Sequence, residues 1–143
     1  MTDAQLKRIL ETARTIATVG LSSSPQKASY GIAGYLKSQG YRVIPVNPSA
    51  DEILGEKSYP DLTSIPDKID VVQLFRPSDE VPPFVDRAVE IGAKVVWMQE
   101  GISNEAAAAK ARAAGLEVVM DRCMKVEYRR LIGEKRNVMR ETR

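Results

Sequence analysis

The loop after the first apolar run contains the residues best suited to bind a ligand. Residues 16–19 are followed by Gly20, by three serines at 22–24 and by Lys27. Small side chains let a ligand approach the backbone, and the start of a following helix offers unpaired N–H groups with a partial positive charge. Hydroxyl groups and one ammonium add further donors. The loop is therefore predicted to bind phosphate, with an ordinary solvated loop as the alternative.

Two common nucleotide-binding signatures do not fit this loop. The glycine spacing of a dinucleotide fingerprint fails, because the next glycine after Gly20 is Gly31. The acidic residue that binds the ribose of NAD after a second strand is also missing, since Val46 is followed by Asn47 and Pro48. The chain contains no P-loop pattern either. An NAD(P)-dependent oxidoreductase is therefore disfavoured.

Composition limits the remaining classes of function. The 143 residues are 43% hydrophobic, which suits one domain with its own core, and a formal charge of +2 is too small to indicate a nucleic acid or membrane partner. Residues 1–10 carry charges throughout, unlike a signal peptide. Cys123 is the single cysteine, which suits a reducing compartment. We expect a cytoplasmic protein.

The chain contains no histidine. This excludes histidine general bases, Ser-His and Cys-His nucleophile pairs, phosphohistidine chemistry and imidazole metal ligands. Because there is also only one thiol, a zinc site is not expected. The sequence therefore favours binding without catalysis, and it predicts no metal site.

Apolar runs alternate with helical patterns along the chain. Strands are predicted at 16–19, 42–46, 70–75, 95–98 and 117–120. Helices are predicted at the start of the chain, where Thr2 and Gln5 form a capping-box pattern, and at about 30–38, 82–91, 105–114 and 124–132. Pro45 places the second strand near a sheet edge, and residues 53–66 read as loop with at most a one-turn helix. The pattern indicates an α/β fold, a doubly wound parallel five-stranded sheet with helices on both faces.

Ligands of such sheets bind outside the carboxyl ends of the strands, where the strand order reverses. Four loops are therefore expected around one crevice, at residues 20–30, 47–49, 75–79 and 99–102. There Arg76 could pair with a phosphate or with Asp79. Asn47 could hydrogen-bond its own turn or an adenine or ribose edge.

Several short motifs carry a family resemblance. They lie at residues 19–22 with Pro25 and Lys27, 36–48, 75–76, 99–102 and 121–127. With these motifs the chain resembles the stand-alone coenzyme A-binding proteins, which are similar to the amino-terminal CoA-binding domain of the succinyl-CoA synthetase α subunit. The resemblance runs from about Leu6 to Gly133 and leaves residues 134–143 as a polar tail.

The resemblance implies a Rossmann-like domain, residues 1–133, that binds coenzyme A. It implies phosphates near the Gly20 loop, adenosine near the end of the second strand, and further contacts after the third strand. The site residues predicted in this way are Gly20, Leu21, Ser22, Ser23, Lys27, Val46, Asn47, Pro48, Leu74, Phe75, Arg76 and Cys123. Tyr128 departs from the family pattern, because we expect histidine there, and any role of that histidine is absent here.

Cys123 lies just past the predicted fifth strand, close to the crevice. Its thiol could form a mixed disulfide with the thiol of CoA or act as a redox sensor. A lone cysteine can also be an inert small hydrophobe.

We expect non-catalytic binding of CoA or an acyl-CoA through phosphate and adenosine recognition at the carboxyl edge of the sheet. The resemblance implies an alternative, in which the chain is the CoA-binding subunit or partner of an acyl-CoA synthetase or ligase. That chemistry uses a phosphohistidine and additional domains, so a catalytic role would require a partner subunit. A homo-oligomer is the alternative to assembly with a partner subunit.

Overall fold

The computed structural model describes residues 1–133, and the predicted tail at 134–143 lies outside them. The strands within this part are β1 (Thr15–Val19), β2 (Arg42–Val46), β3 (Glu52–Ile53), β4 (Glu56–Lys57), β5 (Val71–Leu74), β6 (Val95–Met98) and β7 (Glu117–Val119). The α-helices are α1 (Asp3–Thr12), α2 (Ala28–Ser38), α3 (Val81–Glu90), α4 (Glu105–Ala113) and α5 (Met124–Leu131).

Five of the strands form one parallel sheet in the order β2-β1-β5-β6-β7. After β2 the chain crosses back over β1, so the strand order reverses between β1 and β5. In doubly wound sheets this reversal separates the loops above two neighbouring strands and leaves a crevice between them. The predicted fold is confirmed.

Helices cover both faces of the sheet. Helices α1, α2 and α5 pack on one face with side chains such as Val71, and α3 and α4 pack on the other with side chains such as Val72. Successive strand residues point to opposite faces, so each strand needs apolar residues at nearly every position. None of the helices in residues 1–133 is long and apolar enough to cross a membrane.

Two local predictions are confirmed. Thr2 and Gln5 form the predicted capping box at the start of α1, each side chain bonding the backbone of the other residue. The strand that contains Pro45 is an edge strand of the main sheet, where a missing N–H interrupts only one ladder. Pro45 still accepts a hydrogen bond from the N–H of Tyr59, at 3.0 Å.

The segment between β2 and β5 has more structure than predicted. In place of the expected loop, β3 and β4 form a two-stranded antiparallel hairpin, and a single 3-10 turn follows at Leu62–Ser64. The turn of the hairpin consists of Leu54 and Gly55, both with positive φ. Strands of two residues are too short to show an alternating pattern, so no strand period predicts this hairpin.

Helix α2 begins at Ala28, two residues before the predicted start at about Tyr30. Its N-cap residue is Lys27, whose side chain makes no capping hydrogen bond. Because Lys27 cannot accept a backbone N–H as Ser, Thr, Asp and Asn do, the sequence contains no start signal there.

Candidate functional site

A cavity of about 560 Å³ opens at the carboxyl ends of β1, β2 and β5. This volume lies within the usual range for a small-molecule site. Its lining includes six of the predicted site residues, Gly20, Ser22, Val46, Asn47, Pro48 and Arg76. The structure therefore brings the loops after β1, β2 and β5 together around one space, as the position of the strand-order reversal requires.

Gly20 is the point of closest approach between two of these loops. Its φ of +83° lies in the left-handed region, and its N–H donates to the carbonyl of Val46 at 3.1 Å. A Cβ built on Gly20 would lie 3.1 Å from Cδ of Arg76 and 3.4 Å from the backbone and side chain of Phe75. The position therefore requires glycine for two reasons, its backbone conformation and the space available.

The serines hold the shape of the loop after β1. The N–H of Ser22 donates to Oγ of Ser29, and the N–H of Ser24 donates to Oγ of Ser22, both at 3.0 Å. Oγ of Ser24 in turn donates to the side chain of Gln26 at 2.6 Å. Each hydroxyl that accepts a bond keeps its own hydrogen for donation. The loop is thus ordered by its own side chains, while Ser23 is exposed.

The start of α2 offers the donors expected of an anion site. No side chain caps this helix, so the backbone N–H groups of its first turn have no side-chain acceptor. Lys27 is exposed at the N-cap position, although it does not line the cavity. The partial positive charge of the helix terminus and the ammonium of Lys27 therefore lie together beside the loop after β1.

Asn47 ties the loop after β2 to the loop after β1. Its Nδ2 donates to the carbonyl of Leu21 at 2.9 Å, and its Oδ1 accepts the N–H of Ser49 at 2.8 Å. The side chain therefore hydrogen-bonds its own turn, which is one of the two predicted alternatives. One N–H of the side-chain amide remains for a ligand, since the amide has two.

Arg76 pairs with Glu80 and not with Asp79, the partner predicted from sequence. Its Nη2 lies 2.6 Å from Oε1 of Glu80, and both side chains are more than two-fifths exposed. The 3-10 turn at Ser78–Glu80 brings Glu80, four residues beyond Arg76, to the same side as the guanidinium. The sequence predicts no 3-10 turn at these residues. Exposed pairs contribute about 0–1 kcal/mol, so a phosphate can compete for this guanidinium.

The other predicted residues of these loops are less accessible. The side chains of Leu21 and Leu74 are fully buried in the core, and Phe75 is half-buried against Gly20. Leu21 contributes its carbonyl to the loop through Asn47. Neither Leu21 nor Leu74 lines the cavity.

Cys123 lies at the N-cap of α5 and is half-buried. It does not line the cavity, because β7 lies two strands beyond β5 along the sheet. The neighbouring residues fix its loop: Oδ1 of Asp121 accepts the N–H of Gly101 at 2.6 Å, and the carbonyl of Arg122 accepts Nε1–H of Trp97 at 2.8 Å. The motif at 121–127 is therefore explained in part by a clamp that holds Cys123 at the carboxyl edge.

Tyr128, at the position where histidine was expected, is a core residue. It is 1% exposed, and its ring lies edge-to-face against those of Tyr35 and Tyr41, with centroids 6.0 and 5.7 Å away. Burial raises the pKa of the Tyr128 phenol, so it stays neutral at physiological pH. The departure from the family pattern therefore lies in the core, and Tyr128 does not line the cavity.

Five lining residues lie outside the predicted set of site residues, namely Val19, Ser49, Pro60, Glu80 and Phe84. The sequence predicts Val19 as the last residue of the first strand, Phe84 on the buried face of a helix and Pro60 in an irregular loop. Ser49 belongs to the loop at 47–49 that was expected at the crevice, and Glu80 directly follows the expected loop at 75–79.

Comparison with known proteins identifies the family. A family model described as a CoA binding domain matches residues 14–129. The chain belongs to this CoA-binding domain family. The predicted resemblance to stand-alone CoA-binding proteins and to synthetase domains is therefore confirmed.

Small relatives of similar length support this assignment. The uncharacterised protein YneT of Bacillus subtilis is 39% identical over 125 residues, covering 87% of this chain and 93% of YneT. The solved structure of a hypothetical protein from Pyrococcus horikoshii is 44% identical with a TM-score of 0.90, covering 93% of this chain and 94% of that one.

A longer relative is a synthetase. An ADP-forming acetate–CoA ligase of Archaeoglobus fulgidus is 34% identical over 95 residues, which cover 64% of this chain. The matched part spans only 14% of the length of that ligase. The chain is therefore related to one domain of a much larger enzyme.

Replacing Gly20 tests the close approach at the cavity. We expect Gly20→Ala to lower the free energy of unfolding by about 1–2 kcal/mol or more, because alanine is strained at positive φ and its methyl would press on Arg76 and Phe75. Urea denaturation followed by circular dichroism measures this change.

Gly31 is the matched control. It lies on the exposed side of α2, and a Cβ there would meet no atom within 4 Å. Gly31→Ala should stabilise the protein by about 0.5–1 kcal/mol through its helix propensity. A Gly20→Ala variant as stable as the unsubstituted protein would contradict the described loop geometry.

Proposed function

We propose that this protein binds coenzyme A, or an acyl-CoA, in the cavity at the carboxyl ends of β1, β2 and β5, and that it catalyses no reaction of its own. One observation carries the proposal: the cavity lies at the reversal of the strand order, next to an uncapped helix start, in a member of a CoA-binding domain family.

The charges at the cavity suit the phosphates of CoA. The N–H groups at the start of α2 and the ammonium of Lys27 supply positive potential on one side. On the other side, Arg76 lines the cavity and is held only by its exposed pair with Glu80. An arginine can bind a phosphate through two parallel N–H bonds. Replacement of the Arg76–Glu80 ion pair by a contact between Arg76 and a phosphate is therefore favourable.

The remaining lining suits an adenosine. Val46, Pro48, Pro60 and Phe84 present apolar side chains to the cavity, and a planar base gains by leaving water for such a surface. The free N–H of the Asn47 side chain supports this assignment, because adenine and ribose both carry acceptors.

A role beside a synthetase is the second candidate. The ADP-forming acetate–CoA ligase relatives contain a domain similar to this chain, and this favours a shared ligand and a possible partner subunit. The chain itself contains no histidine to carry a phosphoryl group. In this candidate the partner supplies the catalytic groups, and this protein contributes the CoA site.

Calorimetric titration with CoA tests the proposed site. We expect Lys27→Ala to weaken CoA binding by about 10- to 100-fold, because one charge-assisted contact is lost. Lys68→Ala is the matched control, since Lys68 is also exposed but precedes the amino end of β5, at the opposite edge of the sheet. Equal affinities for Lys27→Ala and Lys68→Ala would remove Lys27 from the site.

Cys123 gives a second test of the same function. With CoA disulfide, the Cys123 thiolate would attack one sulfur, form a protein–CoA mixed disulfide and release one CoA thiol. Because Cys123 is the only thiol in the chain, any adduct in an intact-mass spectrum is located there. Dithiothreitol should remove the adduct.

Glutathione disulfide is the matched reagent without a nucleotide. We expect CoA disulfide to react at least tenfold faster, because binding in the cavity would raise its effective concentration near Cys123. Absence of an adduct, or equal rates with the two reagents, would contradict a position of Cys123 within reach of the CoA thiol.

A further inference from the structure

The two helix starts beside the cavity offer different donors to an anion. No side chain caps the start of α2, so no side chain competes with a phosphate for its first backbone N–H groups. At the start of α3, Pro82 and Pro83 carry no N–H. The N–H groups of Glu80 and Val81, the two residues before them, already donate to carbonyls of the preceding turn. These four residues therefore offer no backbone donor to a phosphate.

Arg76 is the cationic side chain at the α3 end of the cavity. Its Nη2 lies 2.6 Å from Oε1 of Glu80, and both side chains line the cavity together with Phe84. The carboxylate of Glu80 thus occupies one of the positions at which an anion of the ligand would bind Arg76. Because both side chains are more than two-fifths exposed, this ion pair is weak and exchangeable.

The lining around Arg76 indicates which phosphate of CoA would lie there. CoA carries a diphosphate, which joins its adenosine to the pantetheine arm, and a separate phosphate on the 3′ oxygen of its ribose. The start of α2 suits the diphosphate, whereas Pro60 and Phe84 give the Arg76 side of the cavity the apolar surface proposed for the adenosine. With the diphosphate at α2, the phosphate left for Arg76 beside the adenosine is the 3′-phosphate.

Charge favours this phosphate over Glu80 as the partner of Arg76. A phosphate monoester carries a charge of about −1.5 to −2 at pH 7, whereas a carboxylate carries a single negative charge. The monoester can also bind the guanidinium through two parallel N–H bonds, while Glu80 accepts a hydrogen bond from Nη2 through Oε1 alone. Each phosphate of the diphosphate has only one ionisable oxygen, so the diphosphate displaces Glu80 less readily than the 3′-phosphate.

We propose that Arg76 binds the 3′-phosphate of CoA and that Glu80 is the intramolecular competitor which this phosphate displaces. The inference rests on the proposed binding of CoA, and it makes Arg76 the residue that distinguishes CoA from dephospho-CoA, which lacks the 3′-phosphate. Glu80 has the opposite effect, since its ion pair with Arg76 must break before the phosphate binds. The two residues therefore change the selectivity of the site in opposite directions.

Calorimetric titration with CoA and with dephospho-CoA tests the assignment of Arg76. The unsubstituted protein should bind CoA about tenfold more tightly than dephospho-CoA, because one charge-assisted contact separates the two ligands. In Arg76→Gln, the affinity for CoA should fall to that for dephospho-CoA, while the affinity for dephospho-CoA stays within about twofold of its original value. Since Arg76 is exposed, the substitution leaves the core intact, and thermal unfolding checks this.

Glu80→Gln tests the competition. It removes the charge of the competitor and should raise the affinity for CoA about two- to fivefold, with little change for dephospho-CoA. Asp79→Asn is the matched control, because Asp79 carries the same charge in the same turn and does not line the cavity. The affinity of this control for either ligand should not change. The gain from Glu80→Gln should also disappear in an Arg76→Gln background, since the competitor acts through Arg76.

Equal affinities of the unsubstituted protein for CoA and dephospho-CoA would overturn the assignment of the 3′-phosphate to Arg76, as would an unchanged ratio of affinities in Arg76→Gln. A loss of CoA affinity in Glu80→Gln, or an equal gain in Asp79→Asn, would overturn the role of Glu80 as a competitor. If the unsubstituted protein bound neither ligand, the proposed binding of CoA itself would fail, and that result is distinct from the others.

Discussion

The site depends on the position of β1 between β2 and β5. Parallel ladders join β1 to β2 over residues 15–19 and to β5 over residues 16–19. Two more backbone bonds extend these ladders, from Gly20 to Val46 and from Phe75 to Val19. Beyond these bonds the loops have to diverge, because the chain leaves β1 toward one neighbour and later returns on the other side. The cavity is the space that this divergence leaves.

Neutral hydrogen bonds, more than ion pairs, give the loops around the cavity their shape. Ser29 and Ser22 accept backbone N–H groups in the loop after β1, and Asn47 joins that loop to the one after β2. Such an arrangement reduces the conformational entropy lost on binding. It also leaves the cations free to act on a ligand, since Lys27 is exposed and Arg76 is held only by a surface pair.

Much of the fold follows from the sequence, because strands buried on both faces appear as apolar runs. Pro45 identified its strand as an edge, and the short motifs identified the family before any geometry was known. The pairing of Arg76 with Glu80 was missed, since it depends on a 3-10 turn that turn residues alone do not specify. The buried hydrogen bonds from Gln73 to Thr18 and from Gln99 to Gln73 were also not predicted. A single glutamine within or just after an apolar run leaves no periodic signal in the sequence.

A crystal structure of the protein grown with CoA tests the proposed site most directly. We expect the CoA phosphates beside Gly20 and the start of α2, and the adenosine between the end of β2 and the start of α3. CoA bound elsewhere on the protein, or a cavity that stays empty at saturating CoA, would contradict it.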